Sequence, residues 1–371
     1  FEKTALLHEH IMLLEYFDVT KKQPESFNAD TPKILVSSLG HIGDIIHAIP
    51  MIRRLREKYP DSEIHFVCGP WGKSIVEKYP EIDFIHTWKP QLRMYCRNVA
   101  DLNETFDEQL SQLQQLRDQD YDLLITCAIT TLSEMILIQA VNPARWIGAE
   151  LNMPLYSAGG KDLSAPFNSL TFEAERLQKL AGFDEPFEPI TFPAALELPE
   201  KWGEVFGDKK VLVVAPTAGW DGKCWPLKYV AQLIEKLFES NTVDIIAITG
   251  SPAEKEICEE LCVRPDVVNL AGELSLEETA LLIKQAGLFI GNDSAPLHLA
   301  TSVDTKRIAL FGATDPARWT KPDEKLIVLR KVDKVAGAHP WHPEAPTQSS
   351  SEAMAKITVD EVLDAAQKLL A

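Results

Sequence analysis

"ILVSSLGHIGDIIHAIP", residues 34–50, reads as a short apolar strand, a glycine-bearing turn and the start of a helix. Ile34, Leu35 and Val36 form a run of strand length, and Gly40 and Gly43 let the backbone turn sharply. Ile45, Ile49 and Ile52 then recur on one helical stripe. Pro50 should kink that helix or end a short first turn. The same rhythm continues downstream. Residues 33–38, 63–68, 83–87 and 122–127 read as buried strands with helical stretches between them, the first being 44–59. A proline-dense interval (177–200) breaks the pattern, and a second series follows at 210–215, 243–249, 288–291 and 307–312. Alternating strands and helices imply parallel sheets covered on both faces. The expected fold class is therefore α/β, with two doubly wound units.

The chain has 371 residues, more than one ordinary core requires. Its 45% hydrophobic and 25% charged content is that of a globular protein. The net charge of −18, from 37 basic and 55 acidic residues, argues against nucleic acid as a partner. Six scattered cysteines suggest no disulfide framework, and a reducing cytoplasm fits them. Cys258 and Cys262 lie four apart on a helical pattern and read as packing, since a metal site needs more ligands. Residues 4–17 are apolar but carry Glu9, Glu15, His8 and His10, which suits an amphipathic helix and not a signal peptide or membrane span. His8 and His10 diverge on a helix and read as surface residues.

Ligands of doubly wound sheets bind beyond the C-terminal ends of the strands, so the strand-to-helix turns are the candidate sites. In "LFIGNDSAPLHLATSV" (288–303), Asn292, Asp293 and Ser294 form such a turn. Asp293 or Ser294 can cap the next helix. Small Ser294 and Ala295 leave N–H groups open for a phosphate, and Pro296 forfeits an N–H that would be unpaired anyway. In "APTAGWDGKCWPLKYV" (215–230), Thr217 lies in a small, flexible turn and Lys223 precedes Trp225-Pro226. That lysine is either a phosphate ligand or a solvated surface charge. Glu254, in the first turn after the strand ending at Thr249, either holds ribose hydroxyls or compensates a helix dipole. Asp44 is either a helix cap or a base. The acidic pair at Asp118 and Asp120 precedes its strand and so lies at the wrong end of the sheet. "HPWHP" (339–343) reads as a loop. No dinucleotide fingerprint, P-loop or nucleophile elbow is present.

Taken together, "GDIIHAIP" (43–50), "PTAGWDGKCWP" (216–226), "TGSPAE" (249–254), "LSLEETALLIKQAGLFIGNDSAPLHLA" (274–300) and "LFGATDPARW" (310–319) resemble glycosyltransferase family nine, the ADP-heptose:lipopolysaccharide heptosyltransferases. The order and spacing match from about residue 33 to 319. The resemblance implies a GT-B fold, with two Rossmann-like domains facing across a cleft. It implies inverting, metal-independent transfer with no cofactor beyond an ADP-sugar co-substrate. The domains expected are a helical extension (1–32), an acceptor domain (33–185), a linker (186–209), a nucleotide-sugar domain (210–350) and a last helix (351–371) packing back on the acceptor domain.

Carried over by position, Asp44 matches the family's base and Lys223 its phosphate- and sugar-contacting lysine. Glu254 matches the ribose carboxylate, and Leu274 the residue beside adenine. Asn292, Asp293, Ser294, Ala295, Pro296 and His298 match the diphosphate and donor-sugar turn, with Thr217 joining them on the donor side. Ala295 stands where glycine is frequent, and "WDGKC" departs from the usual basic run. Gly43 and the basic residues Lys89, Arg93 and Arg97 are acceptor candidates, although an ordinary solvated loop accounts equally well for the last three. The partners implied are a nucleotide sugar and a glycan or lipopolysaccharide-core acceptor. The implied location is cytoplasmic, with peripheral contact at the inner face of the membrane left open. The competing functions are a nucleotide-sugar 2-epimerase and a non-catalytic nucleotide-sugar or glycan-binding protein.

Overall fold

The first series of strands assembles into one parallel sheet and the second into another. The computed structural model describes residues 12, 13, 15–17, 27–89, 106–129, 132–149, 171–186, 188–195, 197–312, 314–332 and 350–371. The candidates His8, His10, Arg93 and Arg97 and the 339–343 loop lie outside these described residues. The chain divides into two units, Phe1–Asn168 with Ala174–Glu188, and Ser169–Glu173 with Pro189–Ala371.

The first unit contains β1 (Ile34–Ser38), β2 (Ile64–Cys68), β3 (Phe84–Thr87), β4 (Leu123–Ile129) and β5 (Arg145–Ala149), in the order β3-β2-β1-β4-β5. All its pairings are parallel, and Val36 of β1 sits in register between Phe66 and Ile125. The chain leaves β1 into the Ile42–Lys58 helix, which buries Ile45, Ile49 and Ile52. The helix runs on through Pro50, so the expectation that it ends a short first turn there is corrected. Losing one N–H costs roughly 3 kcal/mol in a helix interior. Full burial of Ile46, Ile49, Met51 and Ile52 around the proline offsets that cost. Within the N-terminal extension, Leu13 and Phe17 belong to the core cluster that includes Leu113, Leu116 and Leu137.

The second unit contains β6 (Val211–Ala215), β7 (Ile245–Ile248), β8 (Val267–Asn269), β9 (Leu288–Asn292), β10 (Arg307–Phe311) and β11 (Leu326–Arg330), in the order β11-β10-β9-β6-β7-β8. Its pairings are also parallel. The Leu227–Glu239 helix covers one face through Val230, Leu233, Ile234 and Leu237. The last helix, Val359–Leu370, starts from a Thr358–Glu361 capping box.

Two segments bear on the expected domain bounds. Val362, Ala365, Ala366 and Leu369 lie in the core of the second unit with Leu212, Leu233 and Leu237. The buried indole of Trp225 donates to Ile357 O at 2.9 Å just ahead of that helix. Much of the interval expected as a linker, 186–209, is packed. From Pro189 onward it belongs to the second unit, with Ile190, Phe192, Trp202 and Phe206 buried and Phe192 N donating to Ser302 O. Aromatic anchors of that size fix a segment even when its prolines keep it irregular.

The strand orders bear on where the candidate turns lie. In the first sheet the chain reverses direction of winding at β1, and in the second at β6, whose neighbours are β7 and β9. Such switch points open a crevice beyond the strand C-termini. The turns after β1, β6 and β9 are those carrying Asp44, Lys223 and Asp293.

Candidate active site

In the second unit, Asn292 ties the two switch-point turns together. Its buried carboxamide accepts from Trp225 N at 3.0 Å and donates to Pro216 O at 2.8 Å. Thr217 and Lys223 are thereby held beside the end of β9. Lys223 is no solvated surface charge. Its Nζ lies 2.7 Å from Asp293 Oδ2, with the Asp293 side chain only 3% exposed. Burial disfavours the carboxylate, but the Lys223 ammonium and the His298 ring beside it outweigh that and hold the Asp293 pKa below its ordinary value. His298 Nε2 stands 3.8 Å from Asp293 Oδ1, and its ring lies 6.0 Å from that of Trp319.

Because Asp293 is committed to Lys223, it does not cap the next helix. Ser294 occupies the N-cap position of Ala295–Ser302 but makes no side-chain cap bond, and its Oγ donates weakly to Asn292 O at 3.4 Å. The expectation that one of these two side chains caps the helix is therefore corrected. The first turn, with half-buried Ala295 and Pro296, keeps N–H groups without a side-chain acceptor among the described residues, and a lysine stands beside it. That combination suits an anion.

The neighbouring turns carry Glu254 and Leu274. Glu254 accepts from Ser251 N at 2.6 Å through Oε2, and Oε1 accepts no hydrogen bond among the described residues. Gly272, at φ +75°, donates from its N–H to Gly250 O at 3.0 Å and so links the two turns. Leu274 is half-buried directly before the Ser275 cap of Leu276–Gln285.

In the first unit, Asp44 is the third residue of its helix, not the cap itself. Its Oδ2 accepts from His41 N at 2.6 Å, and Oδ1 accepts no hydrogen bond among the described residues. The carboxylate packs so closely on Gly40 that a Cβ there would collide with it. Gly43 is buried within the first turn. Trp71, which the sequence reading did not single out, donates from Nε1 to Gly40 O at 2.9 Å. An aromatic between two glycines in "GPWG" (69–72), just after a strand, is the signal that could have found it. Lys89 is half-buried beyond β3, and its carbonyl accepts from Gln109 Nε2 at 2.7 Å.

The family model for glycosyltransferase family 9 (heptosyltransferase) matches residues 160–344. The chain belongs to glycosyltransferase family 9. Lipopolysaccharide heptosyltransferase 3 of Escherichia coli K12 is 27% identical over 343 residues, covering 88% of this chain and 95% of that protein. Lipooligosaccharide heptosyltransferase 2 of Haemophilus influenzae is 25% identical, covering 87% and 99%. Among solved structures, E. coli heptosyltransferase WaaC with ADP superposes with a TM-score of 0.69 at 18% identity, covering 91% of this chain and 99% of that one. The two parallel sheets are thus those of the GT-B fold, and this family 9 member is a glycosyltransferase. Among its described residues, no helix is long and apolar enough to cross a membrane.

Proposed function

We propose that this glycosyltransferase moves heptose from ADP-heptose to a glycan acceptor of the lipopolysaccharide-core type, by an inverting displacement that needs no metal ion. The reading rests chiefly on the N-terminus of Ala295–Ser302, which has no side-chain cap while the Lys223–Asp293 pair is built beside it. The donor preference is taken from the relatives, whose names specify heptosyl transfer.

In the reaction, the acceptor hydroxyl attacks the anomeric carbon on the face opposite ADP. The new glycosidic C–O bond forms as the bond to the diphosphate oxygen breaks. Asp44 Oδ1, the oxygen not used by His41 N–H, takes the acceptor proton. Such help is typically worth about 10² to 10⁴ in rate. The charge released on ADP falls to Lys223 and to the N–H groups at Ser294 and Ala295. An ammonium has three donors, so Lys223 can keep Asp293 and still reach a phosphate. Glu254 Oε1 serves the ribose, Leu274 and Thr217 flank the nucleotide, and His298 borders the donor sugar. Gly43, Lys89, Arg93 and Arg97 belong to the acceptor side. An ADP-sugar donor places the reaction in the cytoplasm, with contact at the inner face of the membrane where the acceptor is lipid-linked.

The test is acceptor-dependent ADP release from ADP-heptose, using O-deacylated, heptose-deficient lipopolysaccharide core, with and without EDTA. Expected are ADP release that survives EDTA and an inverted anomeric configuration in the product by NMR. Turnover of a UDP-sugar without acceptor, or loss of activity in EDTA restored by a metal, would overturn the corresponding part of the reading.

A further inference from the structure

The turn that presents Asp44 closes on itself through two hydrogen bonds. His41 N donates to Asp44 Oδ2, and Ile45 N donates to His41 O at 3.2 Å. Upstream of His41, Gly40 lies so close to the Asp44 carboxylate that a shift of its backbone moves against that group. The Trp71 indole N–H donates to Gly40 O at 2.9 Å across 31 positions of sequence.

The loop that carries Trp71 is itself shaped for this. Gly69 lies under the indole ring so closely that a Cβ there would collide with it. Gly72 lies against Ile45 Cδ1, in the first turn of the Asp44 helix, with no room for a Cβ. Pro70–Gly72 forms a single 3₁₀ turn closed by Gly72 N donating to Gly69 O at 2.8 Å. Two glycines thus let the turn after β2 dock on the turn after β1, and one indole N–H fixes the distance. Both turns leave adjacent strands, since Ser38 pairs with Cys68.

We infer that Trp71 is a positioning residue for the base: its N–H holds the Gly40 carbonyl, and so fixes where the Asp44 carboxylate points. This rests on the reading of Asp44 as the base. Misplacing a reacting group by about 1 Å can cost about 100-fold in rate. A variant that keeps the ring but lacks the N–H should therefore lose turnover without losing substrate binding.

Trp71→Phe is that variant, since phenylalanine can still cover Gly69. The measurement is kcat and KM for ADP-heptose, with the deacylated core as acceptor, in wild type, W71F, D44N and the double variant. The expected result is a fall of about ten- to a hundred-fold in kcat for W71F with an unchanged donor KM. In the D44N background the same change should have no further effect, because the indole acts only through that carboxylate. If D44N is inactive while W71F keeps wild-type kcat, the inference is wrong and the base reading stands. An equal W71F loss in both backgrounds, or one confined to KM, also overturns it. Near-native turnover in D44N removes the base reading itself. Where W71F melts far below wild type, W71Y provides the second variant and is read by the same criteria.

Discussion

The Asp44 carboxylate has two oxygens with two occupations. Oδ2 closes the helix turn onto His41 N, while Oδ1 accepts no hydrogen bond among the described residues. The choice between cap and base therefore dissolves, because one side chain can do both. Asp44→Asn should leave ADP affinity and the thermal midpoint close to wild type, since an amide oxygen still accepts from His41 N. Acceptor-dependent turnover should fall by about 10² to 10⁴, the usual worth of a positioned base; near-native turnover would refute the role. At Lys223 the two roles separate differently. Lys223→Ala strips the counter-charge from a buried carboxylate, which is costly because the remaining charge is uncompensated. Lys223 is itself a quarter exposed, so the expected loss is about 2 kcal/mol, at or below the low end for buried pairs. ADP affinity should fall about ten-fold or more by calorimetry, as expected for a charge-assisted contact. Adding Asp293→Asn should recover stability but not affinity. Recovery of both would make the lysine purely structural.

At the scale of elements, interior strands were legible because burial on both faces writes them as continuous apolar runs, as in "ILVSS" and "VLVVA". The three strands that pattern reading did not mark, β5, β8 and β11, all lie at sheet edges. There one side is unpaired and the run is short, polar or half-exposed, as in "VVN" of β8. The turns were legible as candidate sites but not as geometries. The three-residue spacing of Ser251 to Glu254 or of His41 to Asp44 serves a capping turn and a ligand carboxylate alike. The Lys223–Asp293 pair spans 70 positions, so no local pattern encodes it. The Trp225 anchor to Ile357 O, across 132 positions, was invisible for the same reason. Gly272 shows how such distant constraints act on an element. Its φ of +75° and its approach to Pro252, whose Cα would lie 2.7 Å from an added Cβ, leave no room for a side chain. Gly272→Ala should cost more than about 1 kcal/mol, from strain together with collision against backbone. It should also loosen the Glu254 and Leu274 turns, read as weaker ADP binding. A stability unchanged within error would show that the turn relaxes freely.

Across the whole molecule, the two units differ in how their buried charges respond to acid. In the first, His65 Nδ1 meets His86 Nε2 at 2.9 Å, with ring planes 13° apart and centroids 5.2 Å apart. The rings therefore meet edge to edge, and one proton fits between them. Tyr121 Oη lies 2.9 Å from His65 Nδ1, and Glu63 stands by the other nitrogen, paired with Lys33. Burial pushes His65 down to about 4, with the neighbouring His86 and Lys33 acting in the same direction against Glu63; His86 is lowered by burial and then Lys33. The unfolded chain thus takes up protons below about pH 6.5 that the folded chain refuses until about pH 4. Stability from this cluster is complete above pH 6.5 and is lost as pH falls to 4. His65 alone contributes about 3 kcal/mol over that window, by linkage. In the second unit, Asp293 works in a lower window. Its folded value lies beneath the ordinary 3.8, so its contribution is present above 3.8 and fades only below it. Between pH 7.5 and 4.5 the first unit should therefore lose protection while the second keeps it. Hydrogen exchange resolved by peptide would show this as faster opening of β2, β3 and β4, with β6 and β9 little changed. His65→Gln, which retains a polar side chain but cannot be protonated there, should flatten the response of the first unit. Equal acid sensitivity in that variant would place the titration elsewhere.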